Sequence, residues 1–198
     1  MRQTHFAQGK GINFRGLLDG IRALYGQEAE RAVIGACTGE MGALLSRGGL
    51  TAGAWYDVAW YRQLHAAAQS TLRRPELARE CARWSIQRDL GGIYRILLFL
   101  LTPESVISKC PRIMQQYWRG GVMQLPEVRH GMAAVEFKGW VGFDQNIWQD
   151  IIGGVEGGLA AAGAQSIRVR VINGGHDNDP DLGLEVRWTS RSGKPSAD

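Results

Sequence analysis

Paired cysteines are missing from this sequence. Cys37, Cys81 and Cys110 are widely spaced and odd in number, and no Cys-x-x-Cys or Cys/His pair accompanies them. That excludes a disulfide framework and a zinc knuckle, and leaves buried free thiols in a reducing, cytoplasmic setting as the expectation. Long apolar runs are missing too. Ile93–Leu101, the greasiest segment, is about half of the roughly 20 residues that span a bilayer, and reads as a buried helix. Met1–Lys10 has no apolar stretch to serve as a signal peptide. Nucleotide and hydrolase motifs are absent: Gly153–Gly158 lies inside a helical pattern without a Gly-Lys-Ser/Thr ending, and no serine occupies a Gly-x-Ser-x-Gly elbow. The formal charge of +4 over 198 residues is a mild bias. Nucleic-acid domains concentrate their basic residues more sharply, so nucleic acid is not an expected partner.

What the sequence does hold is a change of periodicity through Met132–Trp188. Met132–Trp140 sets Val135 and Phe137 against Glu136 and Lys138. Asp144–Gly163 then places Ile147, Ile151, Val155 and Leu159 four apart. Ser166–Ile172 alternates Ile167, Val169 and Val171 with arginines, and Leu184–Trp188 alternates Leu184, Val186 and Trp188 with Glu185 and Arg187. Period two, then 3.6, then two again predicts strand, helix, strand, strand. Val122–Val128 reads as an edge strand because Pro126 cannot donate to a ladder. The N-terminal half is helical by pattern: Phe14–Tyr25 ended by Gly26, Gln27–Ala36, Trp55–Leu72, a helix from Pro75, and another opened by Thr102-Pro103-Glu104. The fold class is therefore α+β, a helical N-terminal half packed on a small antiparallel sheet with one long helix across it, β-β-α-β-β in the C-terminal half. Residues 1–12 are expected to be flexible, 13–189 to form one domain, and 190–198 to be a disordered tail.

Phe14-Arg15-Gly16-Leu17-Leu18-Asp19-Gly20, Trp60 with Tyr61, Pro111 with Tyr117 and Trp118, Gly153-Gly154-Val155-Glu156-Gly157, and Val186-Arg187-Trp188 resemble a domain family largely confined to myxobacteria and of unknown function. The order of elements is also similar to the wider group of haem–nitric-oxide-binding (H-NOX) sensors and four-vinyl-reductase-type ligand domains. That resemblance implies a helical half and a small sheet enclosing an apolar ligand. The haem branch is marked by Tyr-x-Ser-x-Arg and a proximal histidine. Here Tyr94-Arg95-Ile96-Leu97-Leu98 has neither the serine nor the arginine at the required spacing, and the cysteine cluster of the four-vinyl-reductase branch is missing.

The candidate sites follow. A ligand pocket is expected among Ile93, Leu97, Leu100, Trp118, Phe137, Trp140 and Trp148, since aromatics at element ends line pockets or association surfaces as well as cores. Trp60, Trp84 and Trp188 fit core stripes. His65 is the best axial ligand if a haem is present, although a lone helical histidine is more often a surface or satisfied core residue. Arg79, Arg83 and Arg88 offer a solvated face or a docking surface for an acidic protein partner. Asp177, Asp179 and Asp181 alternate as oxygen ligands do, but Leu182 and Trp188 stand where a calcium loop needs glycine and glutamate. A hairpin loop is the preferred reading, and no metal site is assigned. These features point to a non-catalytic ligand-binding or protein-interaction module in cytoplasmic signalling or regulation, with a homodimer among its options. A haem or tetrapyrrole sensor is the alternative and an enzyme the second alternative. The sequence leaves the cofactor, ligand and partner open.

Overall fold

The computed structural model describes residues 6–91 and 101–190. In chain order the described elements are β1 (Gln8–Lys10), α1 (Gly11–Tyr25), α2 (Gln27–Ala36), α3 (Gly39–Ser46), β2 (Trp55–Asp57), α4 (Val58–Leu72) and α5 (Leu77–Gly91). Then come α6 (Pro103–Ile107), α7 (Cys110–Tyr117), β3 (Trp118–Arg119), β4 (Val122–Arg129), β5 (Met132–Lys138), α8 (Gln145–Ala161), β6 (Ala164–Gly174) and β7 (Leu182–Ser190). Side-chain caps set several helix starts. Asp57 Oδ1 accepts from the Ala59 amide at 2.8 Å, Asp144 Oδ1 from Ile147 at 2.9 Å, and Thr102 Oγ1 from Ser105 at 3.2 Å. No helix among the described residues is long and apolar enough to cross a membrane.

The larger sheet runs β4-β5-β7-β6, with every neighbouring pair antiparallel. Val135, Phe137, Leu184, Val186 and Trp188 are buried in one core with Ile147, Ile151, Val155 and Leu159 of α8. The α+β class expected from periodicity is the observed one. The register of β4 on β5 shifts between Gln124 and Glu127, beside Pro126 at the sheet edge. Strand β6 departs from expectation. Ile167 and Val169 are half-buried and Val171 is 45% exposed, because an outer strand has a neighbour on one side only.

Gln8–Lys10, in a stretch expected to be loose, pair with β2 on one side and β3 on the other, forming a second, three-stranded sheet. Trp118, read as the end of a helix, belongs to this sheet. Trp60 and Trp84 are only half-buried. The buried face of α4 is Val58, Tyr61, Leu64, His65 and Ala68, one residue out of phase with the Trp60 stripe. That of α5 is Leu77, Ala78, Cys81, Ala82 and Ser85.

Helix α5 lies against both α8 and α1. A Cβ at Gly153 would overlap the Arg79 carbonyl oxygen and stand 2.9 Å from Arg79 Cα, and one at Gly157 would stand 2.8 Å from the Arg83 oxygen. On the α1 side, a Cβ at Gly20 would meet Cys81 Cα at 2.9 Å. Glycine inside a helix costs about 1 kcal/mol relative to alanine. Here it permits backbone-to-backbone approach that any side chain would prevent.

Candidate functional site

Aromatic side chains from both halves of the chain meet in the core. Phe14 (α1) lies 4.8 Å from Tyr61 (α4), ring centre to ring centre. Tyr61 lies 5.4 Å from Trp118 (β3), Trp118 4.9 Å from Phe143, and Phe143 4.7 Å from Trp148 (α8). Branches reach Trp140 from Phe143 at 5.3 Å and Phe137 from Trp148 at 5.7 Å. Most of these pairs are tilted or edge-to-face, as ring quadrupoles prefer. The indole nitrogens at the rim are satisfied: Trp140 Nε1 donates to the Val122 carbonyl at 3.0 Å and Trp148 Nε1 to Asp179 at 3.2 Å.

Of the expected pocket residues, Trp118, Phe137, Trp140 and Trp148 therefore stand together, joined through Phe143. Ile93, Leu97 and Leu100 lie outside the described residues. Sequence reasoning missed Phe143, Phe14 and Tyr61 as members of the chain. Phe14 and Tyr61 belong to helices distant in sequence from Trp118 and Phe143, so no local pattern joins them to these rings.

His65 is fully buried on α4, its ring edge-on to Tyr61 at 4.5 Å. Neither ring nitrogen has a hydrogen-bond partner among the described residues. This is neither the surface residue nor the satisfied core residue that base expectation favours. Burial pushes its pKa down to about 3, so the imidazole is neutral at physiological pH. One turn earlier on the same helix, the Tyr61 hydroxyl contacts Asp150 Oδ1 of α8 at 3.2 Å and the Asn13 carbonyl of α1 at 3.4 Å. Burial raises Asp150 to about 7, against the opposing effect of the Tyr61 hydrogen bond. The Tyr61 hydroxyl is itself pushed well up, first by burial and then by Asp150. Cys81 is pushed up to about 12 by burial and by Asp150. Cys81, with Cys37 and Cys110, is a free thiol. A neutral imidazole (His65) and a carboxyl whose ionisation is held back by burial (Asp150) thus flank Tyr61 at the junction of the helical half with α8.

The arginine face is largely committed within the fold. Arg79 grips buried Glu156 with two bonds, 2.5 and 3.1 Å. Arg88 pairs with Asp19 and Asp89 and lies 4.8 Å over the Trp84 ring. Arg83 is exposed. The aspartates of the β6–β7 loop hold backbone: Asp177 accepts from the Gln145 amide, Asp179 from His176 and Asp181 from Gly139. They act as loop fasteners, as the hairpin reading expects.

No family model matches the chain, and no curated protein matches it by sequence. Solved structures do. The Fe(II) unliganded H-NOX protein from K. algicida superposes with a TM-score of 0.69 at 14% identity, over 94% of this chain and 100% of that one. A mutant H-NOX protein from S. oneidensis in the Fe(II) ligation state gives 0.69 at 10% identity over 93% and 98%. An oxygen-binding H-NOX domain related to soluble guanylate cyclases gives 0.64 at 15% over 96% and 100%. Nearly the whole of each neighbour is covered, and at these identities the likeness is one of architecture: the chain has the H-NOX fold.

Proposed function

We propose that this chain is a sensor domain that encloses a small molecule between its helical half and its sheet, with haem the first candidate and His65 the donor. The observation that carries this reading is His65 itself. A buried polar group without a partner costs roughly 1–3 kcal/mol, and His65 leaves two buried ring nitrogens unpartnered among the described residues. A neutral imidazole is the form that ligates metal, and histidine is a common axial ligand of haem. The donor chemistry fits a tetrapyrrole metal. The solved neighbours include iron-bearing and oxygen-bound H-NOX proteins, and that supports the reading. Bound haem would supply an iron centre able to take a diatomic gas. His65 would hold it, Tyr61 would fix the ring plane of His65 by packing, and the aromatic chain would wall the site from water.

The fit has two departures. Metal-ligating histidines usually donate their second nitrogen to a carboxylate or carbonyl, and His65 has no such partner among the described residues. The rings of Trp118, Phe143 and Trp148 also touch one another. A planar ligand needs about 7 Å between its walls, twice a carbon–carbon contact, so it would not lie between these rings.

This packing favours a second reading, in which the enclosed molecule is apolar and metal-free and hydrogen-bonds to His65. Haem titration of the full chain, followed by absorption, tests the first. A strong Soret band that disappears in His65→Ala supports it, and a colourless protein indifferent to haem refutes it. A co-purifying organic molecule found by native mass spectrometry in that colourless protein supports the second reading. Within either reading, the unpaired thiols favour a cytoplasmic setting, and we assign the domain to signalling or regulation, with a homodimer as its proposed assembly.

A further inference from the structure

A cleft of about 320 Å³ opens between the end of α1 and the middle of α5, lined by Leu24, Tyr25, Glu80, Arg83, Trp84 and Gln87. Its volume is at the lower end for small-molecule sites, roughly 300–1,000 Å³. Leu24 and Trp84 give it apolar surface: Leu24 is 43% exposed, and Trp84 is half-buried with one ring contact taken by Arg88. Two opposite charges face it from one helix, three residues apart. Glu80 and Arg83 are close enough in sequence to pair with each other, yet neither makes an ion pair among the described residues. The Tyr25 hydroxyl explains why: it donates to Glu80 Oε2 at 2.6 Å, drawing the carboxylate toward α1 and leaving Oε1 available. The Arg83 carbonyl lies against Gly157, so the α5 backbone is packed closely on α8 at that position.

We infer that this cleft binds a free α-amino acid with an apolar or aromatic side chain. The ammonium meets Glu80 Oε1, the carboxylate meets the Arg83 guanidinium in the planar geometry that arginine favours, and the side chain covers Trp84 and Leu24. An anion and a cation lining one cleft beside apolar side chains are the complement of a zwitterion. A purely anionic or cationic ligand satisfies one charge and strands the other. The site is independent of any ligand at His65.

Calorimetric titration of the full chain with L-phenylalanine and L-leucine tests the inference. 3-Phenylpropionate and 2-phenylethylamine, each lacking one charge, serve as controls. Saturable binding of the amino acids is expected, at least tenfold tighter than either control. Arg83→Gln and Glu80→Gln should each weaken it at least tenfold with thermal unfolding unchanged, and Tyr25→Phe should weaken it less. Absence of saturable binding at millimolar ligand overturns the inference. So does equal binding of 3-phenylpropionate, or affinity unchanged in both charge variants. Binding lost in His65→Leu but kept in Arg83→Gln would place the ligand in the interior and likewise overturn it.

Discussion

Four glycines in one turn and a half of α8 give a test in which neighbouring positions should respond with opposite sign. Gly153 and Gly157 face the α5 backbone, where an added methyl at Gly153 would overlap the Arg79 carbonyl. Among the described residues, Gly154 and Gly158 find only Ile86 Cγ1 at 3.9 Å and Val106 Cγ1 at 4.0 Å, ordinary contacts. Alanine gains about 1 kcal/mol of helix propensity at each position. At Gly154 and Gly158 that gain survives, so each substitution should stabilise by about 0.5–1 kcal/mol. At Gly153 the helices must separate, and overpacking of a close interface costs about 1–3 kcal/mol. Separation also loosens the Arg79–Glu156 pair, whose two bonds span the same interface. We expect Gly153→Ala to be destabilised by about 2 kcal/mol net, combining these contributions. In a domain of this size that corresponds to roughly 4–8 °C in Tm. Urea denaturation of the four single variants decides the matter. Gly153→Ala as stable as Gly154→Ala would refute the argument from close approach.

Removing Arg79 alone, as Arg79→Ala, leaves the Glu156 carboxylate buried without its partner and should cost about 3–5 kcal/mol, while Arg79→Met with Glu156→Leu should recover most of it. Phe143→Ala cuts the aromatic chain where three rings meet and should cost about 3–5 kcal/mol by chemical denaturation. The pH dependence of stability has two opposing contributions. His65, held at about 3 in the fold, is protonated first in the unfolded chain, so its contribution is full above about pH 6.5 and is lost as pH falls toward 3, at no more than about 1.4 kcal/mol per pH unit. Asp150, raised to about 7, keeps its proton in the fold where the unfolded chain has released it, so its contribution declines as pH rises from about 4 to 7. Asp150→Asn should therefore leave stability climbing more steeply toward neutrality, and His65→Leu should leave it falling. Profiles of both variants parallel to the native one would contradict these assignments.

Much of the C-terminal half was legible because its elements pack locally. Phe137, Ile147 and Leu184 announce their buried faces by spacing alone, and Asp144 and Thr102 cap the helices they were expected to open. The helical half was less so. On α4, both Trp60-Leu64-Ala68 and Tyr61-Leu64-His65-Ala68 satisfy a 3.6-residue period, and the bulkier tryptophan favoured the wrong one. Tertiary contact chose the other phase, turning His65 inward and leaving Trp60 half-buried, stacked on Tyr56. Strands of two or three residues have no periodicity to read, so the pairing of Gln8–Lys10 with residues 55–57 and 118–119 could not be foreseen. The Tyr61–Asp150 contact joins positions 89 apart in sequence and has no local signature.

That short pairing has a mechanical consequence. β1 is the middle strand of its sheet, so β2 and β3 are joined to each other only through it. Trimming the chain to begin at Gly11 would cut two tethers at once, freeing the lead-in to α4 and releasing Trp118 from the segment that backs it. Gln8–Lys10 thus behave as a clasp between early and late parts of the polypeptide.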